Sequence, residues 1–370
     1  MEKRLKAAVI GCGGAGIWIH IPWYAAHHEV ELVGLVDTNI TQAEKCAQKY
    51  GGRPYDNLTE MLDKEKPDMV SVATPPHLHA QHTIECLQHG CNVLCEKPMA
   101  PTLEECQKMI DCAKTNKVIL GMSFDKRFSM VFQKMYEVIL SGQIGRPLSI
   151  KANWDANCMG LQGSFRAKLC TGGGVFQDAG SHFIDLLSWL VDSEISIVEG
   201  EIDICLPDIL EVEDNAAAIL KFKSGIIGTI ETSWIGSHDF SGSPYHNEWV
   251  WVYGTDGIVK GEGSIRLEPP PVELFDRKTC QWQVLRLHNV NSATLEHYQC
   301  KRLVDEFISC VLEKKQFVPS GEEGKKAIEG VLGLYQSSHT GQKVSLPLSR
   351  SPNLSEIFTD LRKKSLKRKT

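Results

Sequence analysis

The chain has 370 residues and a formal net charge of −6, with 42% hydrophobic and 23% charged residues. It is too long for one ordinary domain and long enough to bury a sizeable core without disulfides or metal, and its acidic balance argues against nucleic acid as a main partner. The thirteen cysteines are an odd number with no repeating spacing, and Cys12, Cys86, Cys95 and Cys112 fall in apolar runs. That is the pattern of buried thiols in a reducing compartment rather than of a disulfide framework. No stretch approaches the ~18 apolar residues of a membrane helix. Residues 1–6 lead straight into a strand-like run, which leaves no room for a secretory leader. The expectation is a cytoplasmic protein with no membrane contact.

In chain order, short runs rich in Val, Ile and Leu occur at residues 7–10, 30–36, 69–73, 93–94 and 118–122. Segments of helical spacing separate them at 41–50, 78–89 and 103–116. Strands alternating with helices imply right-handed crossovers and a parallel sheet. After about residue 145 the rhythm changes. A helical stretch at 180–191 is followed by strand-like runs at 216–222, 226–234, 249–253 and 282–287, which predict an open, mostly antiparallel sheet. Closing helices are expected at 298–312 and 322–338, and Met130 and Met135 read as helix core. The last residues carry Arg362, Lys363, Lys364, Lys367, Arg368 and Lys369 and read as a frayed, solvated tail. The predicted fold is α/β: a dinucleotide-binding unit at 1–125, an α+β substrate and oligomerisation unit at 126–348, and a basic tail at 349–370.

Gly11-Cys12-Gly13-Gly14-Ala15-Gly16-Ile17 follows the first strand and opens into a helical segment, and Asp37 ends the next strand 21 residues after Gly16. A lone G-x-G-x-x-G is weak evidence; the strand before it, the helix after it and the acidic residue beyond make it a nucleotide site. Gly11 suits the tight turn, Gly13 the close approach of pyrophosphate, and Gly16 the packing of helix on strand, with the phosphates against the helix N-terminus. Asp37 suits ribose hydroxyls and would repel a 2′-phosphate, and Thr38-Asn39 supplies no compensating cation. NAD is the expected cofactor.

Three further motifs narrow the reading: Thr74-Pro75-Pro76-His77-Leu78-His79, Cys95-Glu96-Lys97-Pro98, and Gly172-Gly173-Gly174-Val175-Phe176-Gln177-Asp178-Ala179-Gly180-Ser181-His182-Phe183-Ile184-Asp185. In this order and spacing the chain resembles the glucose–fructose oxidoreductase/inositol dehydrogenase (Gfo/Idh/MocA) family, from Ala7 to about Leu348. The stretch Pro319-Ser320-Gly321-Glu322-Glu323-Gly324 resembles that family's closing segment.

The resemblance implies an NAD(H)-dependent oxidation of a secondary hydroxyl on a sugar, glycoside or inositol, including oxidation at sugar C3. Such a reaction needs a base at the hydroxyl and a cation where charge develops on its oxygen. His182 suits the base and Lys97 the cation, with the lysine also open as base; Asp178, one turn before His182, suits orienting the imidazole or binding substrate hydroxyls. Thr74, Pro75, His79, Glu96 and Lys97 join the glycine loop in the expected cofactor set. Trp154, Arg166 and Tyr298, with Lys168, are expected substrate contacts, although Gly163-Ser164-Phe165-Arg166 departs from the Trp-Arg pair of similar proteins. Arg127 and Asp185 are open between structural and substrate roles. His77, His79 and His82 cluster without a completing ligand, and the family uses no metal. An NAD-dependent glycoside hydrolase working through transient oxidation, and a sugar or NAD sensor, are the alternatives. The open sheet face predicts a homo-oligomer, dimer or tetramer, through apolar positions such as Ile226, Ile230, Trp249 and Trp251.

Overall fold

The computed structural model describes residues 4–157, 159–236, 247–263, 272–287 and 298–368; the expectations that fell on Met1 and Lys369 lie outside them. The chain divides into two compact units, Met1–Asp125 with His297–Lys325, and Lys126–Glu296 with Lys326–Thr370.

The first unit holds six strands: β1 (Leu5–Ile10), β2 (Val30–Val36), β3 (Arg53–Tyr55), β4 (Met69–Val72), β5 (Asn92–Cys95) and β6 (Leu120–Met122). They form one parallel sheet in the order β3-β2-β1-β4-β5-β6. The order reverses between β1 and β4, and in open α/β sheets ligands bind outside the carboxyl ends of the strands at such a switch point. Every residue of β4 and β6 is buried, as expected of strands covered on both faces. The helices α1 (Ile21–Ala26), α2 (Ile40–Tyr50), α3 (Leu58–Glu65), α4 (Pro76–Gln88) and α5 (Leu103–Asn116) connect them. α5 starts on a side-chain cap: Thr102 Oγ1 accepts from the Glu105 N–H and donates to the Glu105 carboxylate. The cysteines among the described residues are free thiols, with Cys12, Cys86 and Cys95 buried and Cys112 half-buried.

The second unit is a nine-stranded sheet in the order β14-β13-β12-β11-β7-β10-β9-β8-β15. Its strands are β7 (Pro147–Asp155), β8 (Ile195–Asp203), β9 (Asn215–Phe222), β10 (Ile227–Ser233), β11 (Asn247–Gly254), β12 (Gly257–Glu262), β13 (Val272–Asp276), β14 (Gln281–Leu285) and β15 (Val344–Ser345). β7 and β10 pair in parallel and the other neighbours antiparallel. Burial alternates residue by residue along β9 and β11, so one face is core and one is open. The inner face is covered by helices that include α6 (Met130–Leu140) and α7 (Ser181–Leu190), with Met135 fully buried.

Helix α8 (Tyr298–Glu313) belongs with the first unit, because Cys300, Leu303, Val304, Phe307 and Ile308 bury one face there and Phe307 packs edge-on to Phe317. Helix α9 (Gly321–Thr340) follows, and Gly330 meets Ile184 closely where the two helices touch.

Two expectations are corrected. Ile226 and Ile230 are 6% and 0% exposed and face the core; Ile219 and Ile227, at 52% and 55%, are the open-face positions of that hairpin, because a one-residue change of register flips the face. The expected solvated tail is helix α10 (Leu354–Lys367), capped by the Asn353 side chain on the Glu356 N–H. Lys363, Lys364 and Lys367 are exposed, Arg362 donates to the Pro207 carbonyl, and Ile357, Phe358, Leu361 and Ser365 are buried. Among the described residues no helix is long and apolar enough to cross a membrane.

Candidate active site

The glycine loop is built on two contacts that admit no side chain. Gly11 has φ +95°, and a Cβ there would stand 2.4 Å from the Ala73 carbonyl oxygen. A Cβ on Gly16 would stand 2.0 Å from the Gly11 carbonyl oxygen. Gly13 and Gly14 are exposed and have nothing within 4 Å of a Cβ position, so the outer side of the loop is open backbone. Asp37 is fixed beside it: Oδ2 accepts from the Cys12 N–H at 2.9 Å and Oδ1 from the Asn39 N–H at 2.9 Å. Gly16–His20 form a single π turn that leads into α1, with Ile17 half-buried within it. An open glycine backbone beside an anchored aspartate fits a dinucleotide whose ribose hydroxyls meet Asp37.

The loops after β4 and β5 are tied together. His79 is 1% exposed, and its Nδ1 lies 2.8 Å from the Pro98 carbonyl oxygen and its Nε2 2.6 Å from that of Thr74. Burial holds the imidazole below the ordinary histidine range, against the raising effect of these carbonyls. The neutral ring donates to one carbonyl at a time, bracing Thr74-Pro75 against the Lys97-Pro98 turn. His82 Nδ1 lies 3.2 Å from Thr74 Oγ1 and His77 is exposed. Glu96 is buried against His20, the last residue of the π turn, at 2.9 Å. Burial pushes its carboxyl up, but the His20 hydrogen bond and charge, with smaller contributions from Ser123 and Lys97, prevail and hold it below the ordinary range. Lys97, half-buried, therefore follows a side chain that is locked to the glycine loop's own helix. Tyr298 opens α8 in this unit, with Arg302 over its ring at 5.7 Å.

In the second unit the structure brings Arg166, Asp178 and His182 onto adjoining segments. Phe176–Gly180 is a second single π turn, and α7 continues from it with His182 in its first turn. Arg166 Nε donates to Asp178 Oδ2 at 3.0 Å, with the guanidinium stacked 4.6 Å over Phe165. Asp178 is 17% exposed and Arg166 34%, so the pair is reachable from solvent yet partly desolvated. Trp154 is 7% exposed on β7, next in register to Glu248, whose fully buried carboxylate accepts from Lys126 Nζ at 2.5 Å. Lys168 is exposed.

Arg127 and Asp185 form a buried two-point pair, Nε to Oδ2 at 2.7 Å and a second guanidinium nitrogen to Oδ1 at 2.6 Å. This fork-to-fork geometry pins the start of the unit to α7. The sequence motifs do not mark His20, Lys126, Glu213, Tyr335 or Glu248 as site residues. The one signal for Glu213 was an acidic pair, Glu213-Asp214, directly before a strand.

Among known proteins, residues 5–124 match the model of the Gfo/Idh/MocA oxidoreductase family with its NAD-binding Rossmann fold, and residues 132–260 match the family's C-terminal domain. The chain is 27% identical to the D-glucoside 3-dehydrogenase of Escherichia coli K12 over 365 residues, covering 93% of this chain and 98% of that protein. It is 24% identical to the myo-inositol 2-dehydrogenase of Thermotoga maritima, over 96% of this chain and 100% of that protein. Among solved structures, the WlbA dehydrogenase of Bordetella pertussis in complex with NADH and UDP-GlcNAcA superposes with a TM-score of 0.80 at 24% identity, covering 94% of this chain and 99% of that one.

Proposed function

Because the chain belongs to the Gfo/Idh/MocA oxidoreductase family, we propose that it oxidises a secondary hydroxyl of a sugar, glycoside or inositol, with sugar C3 the first position to examine. The observation that carries this reading is the π turn that presents Asp178, held by Arg166, directly ahead of His182. Bound NAD supplies the hydride acceptor. The His182 imidazole receives the hydroxyl proton, since an imidazole exchanges protons near neutral pH. Lys97 donates a hydrogen bond to the same oxygen as charge builds on it. Asp178 accepts from a substrate hydroxyl or steadies the imidazole, and Arg166, Trp154 and Tyr298 complete the proposed substrate contacts. Gly11, Gly13, Gly14, Ala15, Gly16, Ile17, Asp37, Thr74, Pro75, His79 and Glu96 form the proposed cofactor cradle.

The same reading includes a cytoplasmic homo-oligomer. Its proposed interface is the open sheet face, where Trp251 and Trp282 meet edge-on and Lys260 lies over both rings, at 5.0 and 4.8 Å. Ile219, Ile227 and Val284 are each more than half exposed, an apolar content larger than a solvated face needs. Light scattering at micromolar concentration tests it, and a monomer would count against it.

The activity test is NADH absorbance with NAD against a panel of inositols, hexoses and glycosides, beside Lys97→Ala. Loss of a donor to a developing oxyanion lowers turnover about 10²- to 10³-fold. Full activity in the variant on a confirmed substrate would refute the role of Lys97. Aglycone release without net NADH would move the chain to glycoside hydrolysis.

A further inference from the structure

Glu213 lies on the stretch before β9 and is 0% exposed. Its Oε1 accepts from the Phe176 N–H at 2.9 Å and from the Tyr335 hydroxyl at 2.6 Å, and its main-chain carbonyl accepts from the Val175 N–H at 3.0 Å. Glu213 therefore grips the first turn of the π segment whose third residue is Asp178. The Cα of Gly174, at φ +118°, faces the carboxyl so closely that a Cβ would stand 2.3 Å from Oε2, which explains why the third glycine of Gly172-Gly173-Gly174 has no side chain. The Gly174 N–H in turn donates to the Arg166 carbonyl at 3.1 Å, so the partner of Asp178 hangs on the same frame.

We infer that Glu213, clasped by Tyr335, is a positioning residue that sets, through backbone amides, the turn that carries Asp178 and leads into His182, without touching substrate. This rests on the proposed roles of Asp178 and His182. The geometry calls for an uncharged carboxyl. Only Oε1 has donors, and among the described residues Oε2 makes no hydrogen bond. Among the described residues the titratable partner of the carboxyl is Tyr335 from α9, while its chain neighbour Asp214 has its oxygens taken by the Cys205 and Leu206 N–H groups at 2.8 and 2.7 Å. Burial accordingly pushes the Glu213 carboxyl up to about 8, against the lowering effect of its donors. Tyr335 is backed by Phe358 of α10, ring edge to face at 5.3 Å, so the clasp reaches the C-terminal helix.

The test uses the full-length protein with NAD and methyl β-D-glucoside as probes, comparing Glu213→Gln, Glu213→Ala and Lys97→Ala. Amide exchange of the 174–182 peptide should be unchanged in Glu213→Gln and Lys97→Ala and about tenfold faster at the Phe176 amide in Glu213→Ala, which removes that amide's acceptor. Turnover in Glu213→Ala should fall about 10- to 100-fold in kcat, as misplacement of reacting groups does, with KM for NAD unchanged and rescue by Glu213→Gln. Wild-type exchange in Glu213→Ala, or wild-type kcat with accelerated exchange, overturns the inference. If the wild-type protein oxidises no sugar in the panel, the functional reading fails separately. Exchange and rescue by glutamine still decide what Glu213 does to the turn.

Discussion

Replacing Glu213 by glutamine should remove a pH dependence from the stability of the second unit. The carboxyl stands at about 8 against an ordinary 4.5, chiefly through burial. A carboxyl raised on folding is protonated in both states below the ordinary value, so its contribution is intact there. As pH rises toward 8 the unfolded chain releases a proton that the folded chain keeps, and stability falls. At about 1.36 kcal/mol per unit, the loss between about pH 5 and pH 7.5 is about 3 kcal/mol. For a unit of this size, ~2–4 °C per kcal/mol makes that roughly 6–12 °C in Tm. Glutamine keeps the shape and the acceptor for the Phe176 N–H but has no proton to lose. Thermal unfolding followed by near-ultraviolet circular dichroism at a series of pH values should show the two proteins converging at the acid end and separating toward neutrality, with Glu213→Gln the more stable. Parallel curves across that window would refute the reasoning, because they would mean that the folded carboxyl titrates as an exposed one does.

Arg127→Ala should destabilise the second unit by about 3–5 kcal/mol, the cost of leaving the buried Asp185 carboxylate without its two-point partner. Chemical denaturation checks it, and Arg127→Ala with Asp185→Asn should recover part of the loss. Asp37→Ala should narrow the preference for NAD over NADP about tenfold or more, read as the ratio of the two dissociation constants, since the anchored carboxylate no longer opposes a 2′-phosphate. Truncation before Leu354 should lower Tm, because Ile357, Phe358 and Leu361 are buried and each contributes on the order of 1.5–3 kcal/mol as an upper estimate. An unchanged Tm would mean that α10 is not packed in solution.

The parallel sheet was legible because each of its main strands is a short apolar run set between helices of clear period; residues 30–36 and 103–116 coincide with β2 and α5. β3 was not, since Arg53-Pro54-Tyr55 is three residues long and has one buried side chain. β7 and β8 escaped notice because each places polar residues on its open face, as in Lys151, Asn153 and Asp155 on β7. α10 was obscured by its charge: its cations outweighed, in a reading by composition, the spacing of Ile357, Phe358 and Leu361. The motif residues were easy to single out because their chemistry is carried by the side chains. Glu213 and Tyr335 were hidden because their work is done on main-chain amides, and they are 122 residues apart in sequence.

The two units solve one mechanical problem with opposite electrostatics. In each, a proposed reacting side chain stands beside a single π turn that follows a glycine-rich stretch, Gly16–His20 in the first and Phe176–Gly180 in the second. A single π turn inside a helix is a rare local feature that recurs at functional sites, and here each is held by an outside anchor. In both cases a buried glutamate supplies it. Glu96 holds the last residue of the first turn through the His20 imidazole and remains ionised because that partner and Lys97 offset its burial. Glu213 holds the first residue of the second turn by an amide, with a phenol as its other partner and no cation on it among the described residues, and burial therefore keeps its proton in place. An ionised anchor next to Lys97 suits the cation proposed to stand where negative charge develops. A neutral anchor under Asp178 adds no second negative charge to the turn that carries this carboxylate and leads into His182, the proposed proton acceptor. The choice of partner, imidazole or phenol, thus sets the charge of each anchor to suit the side chain it serves.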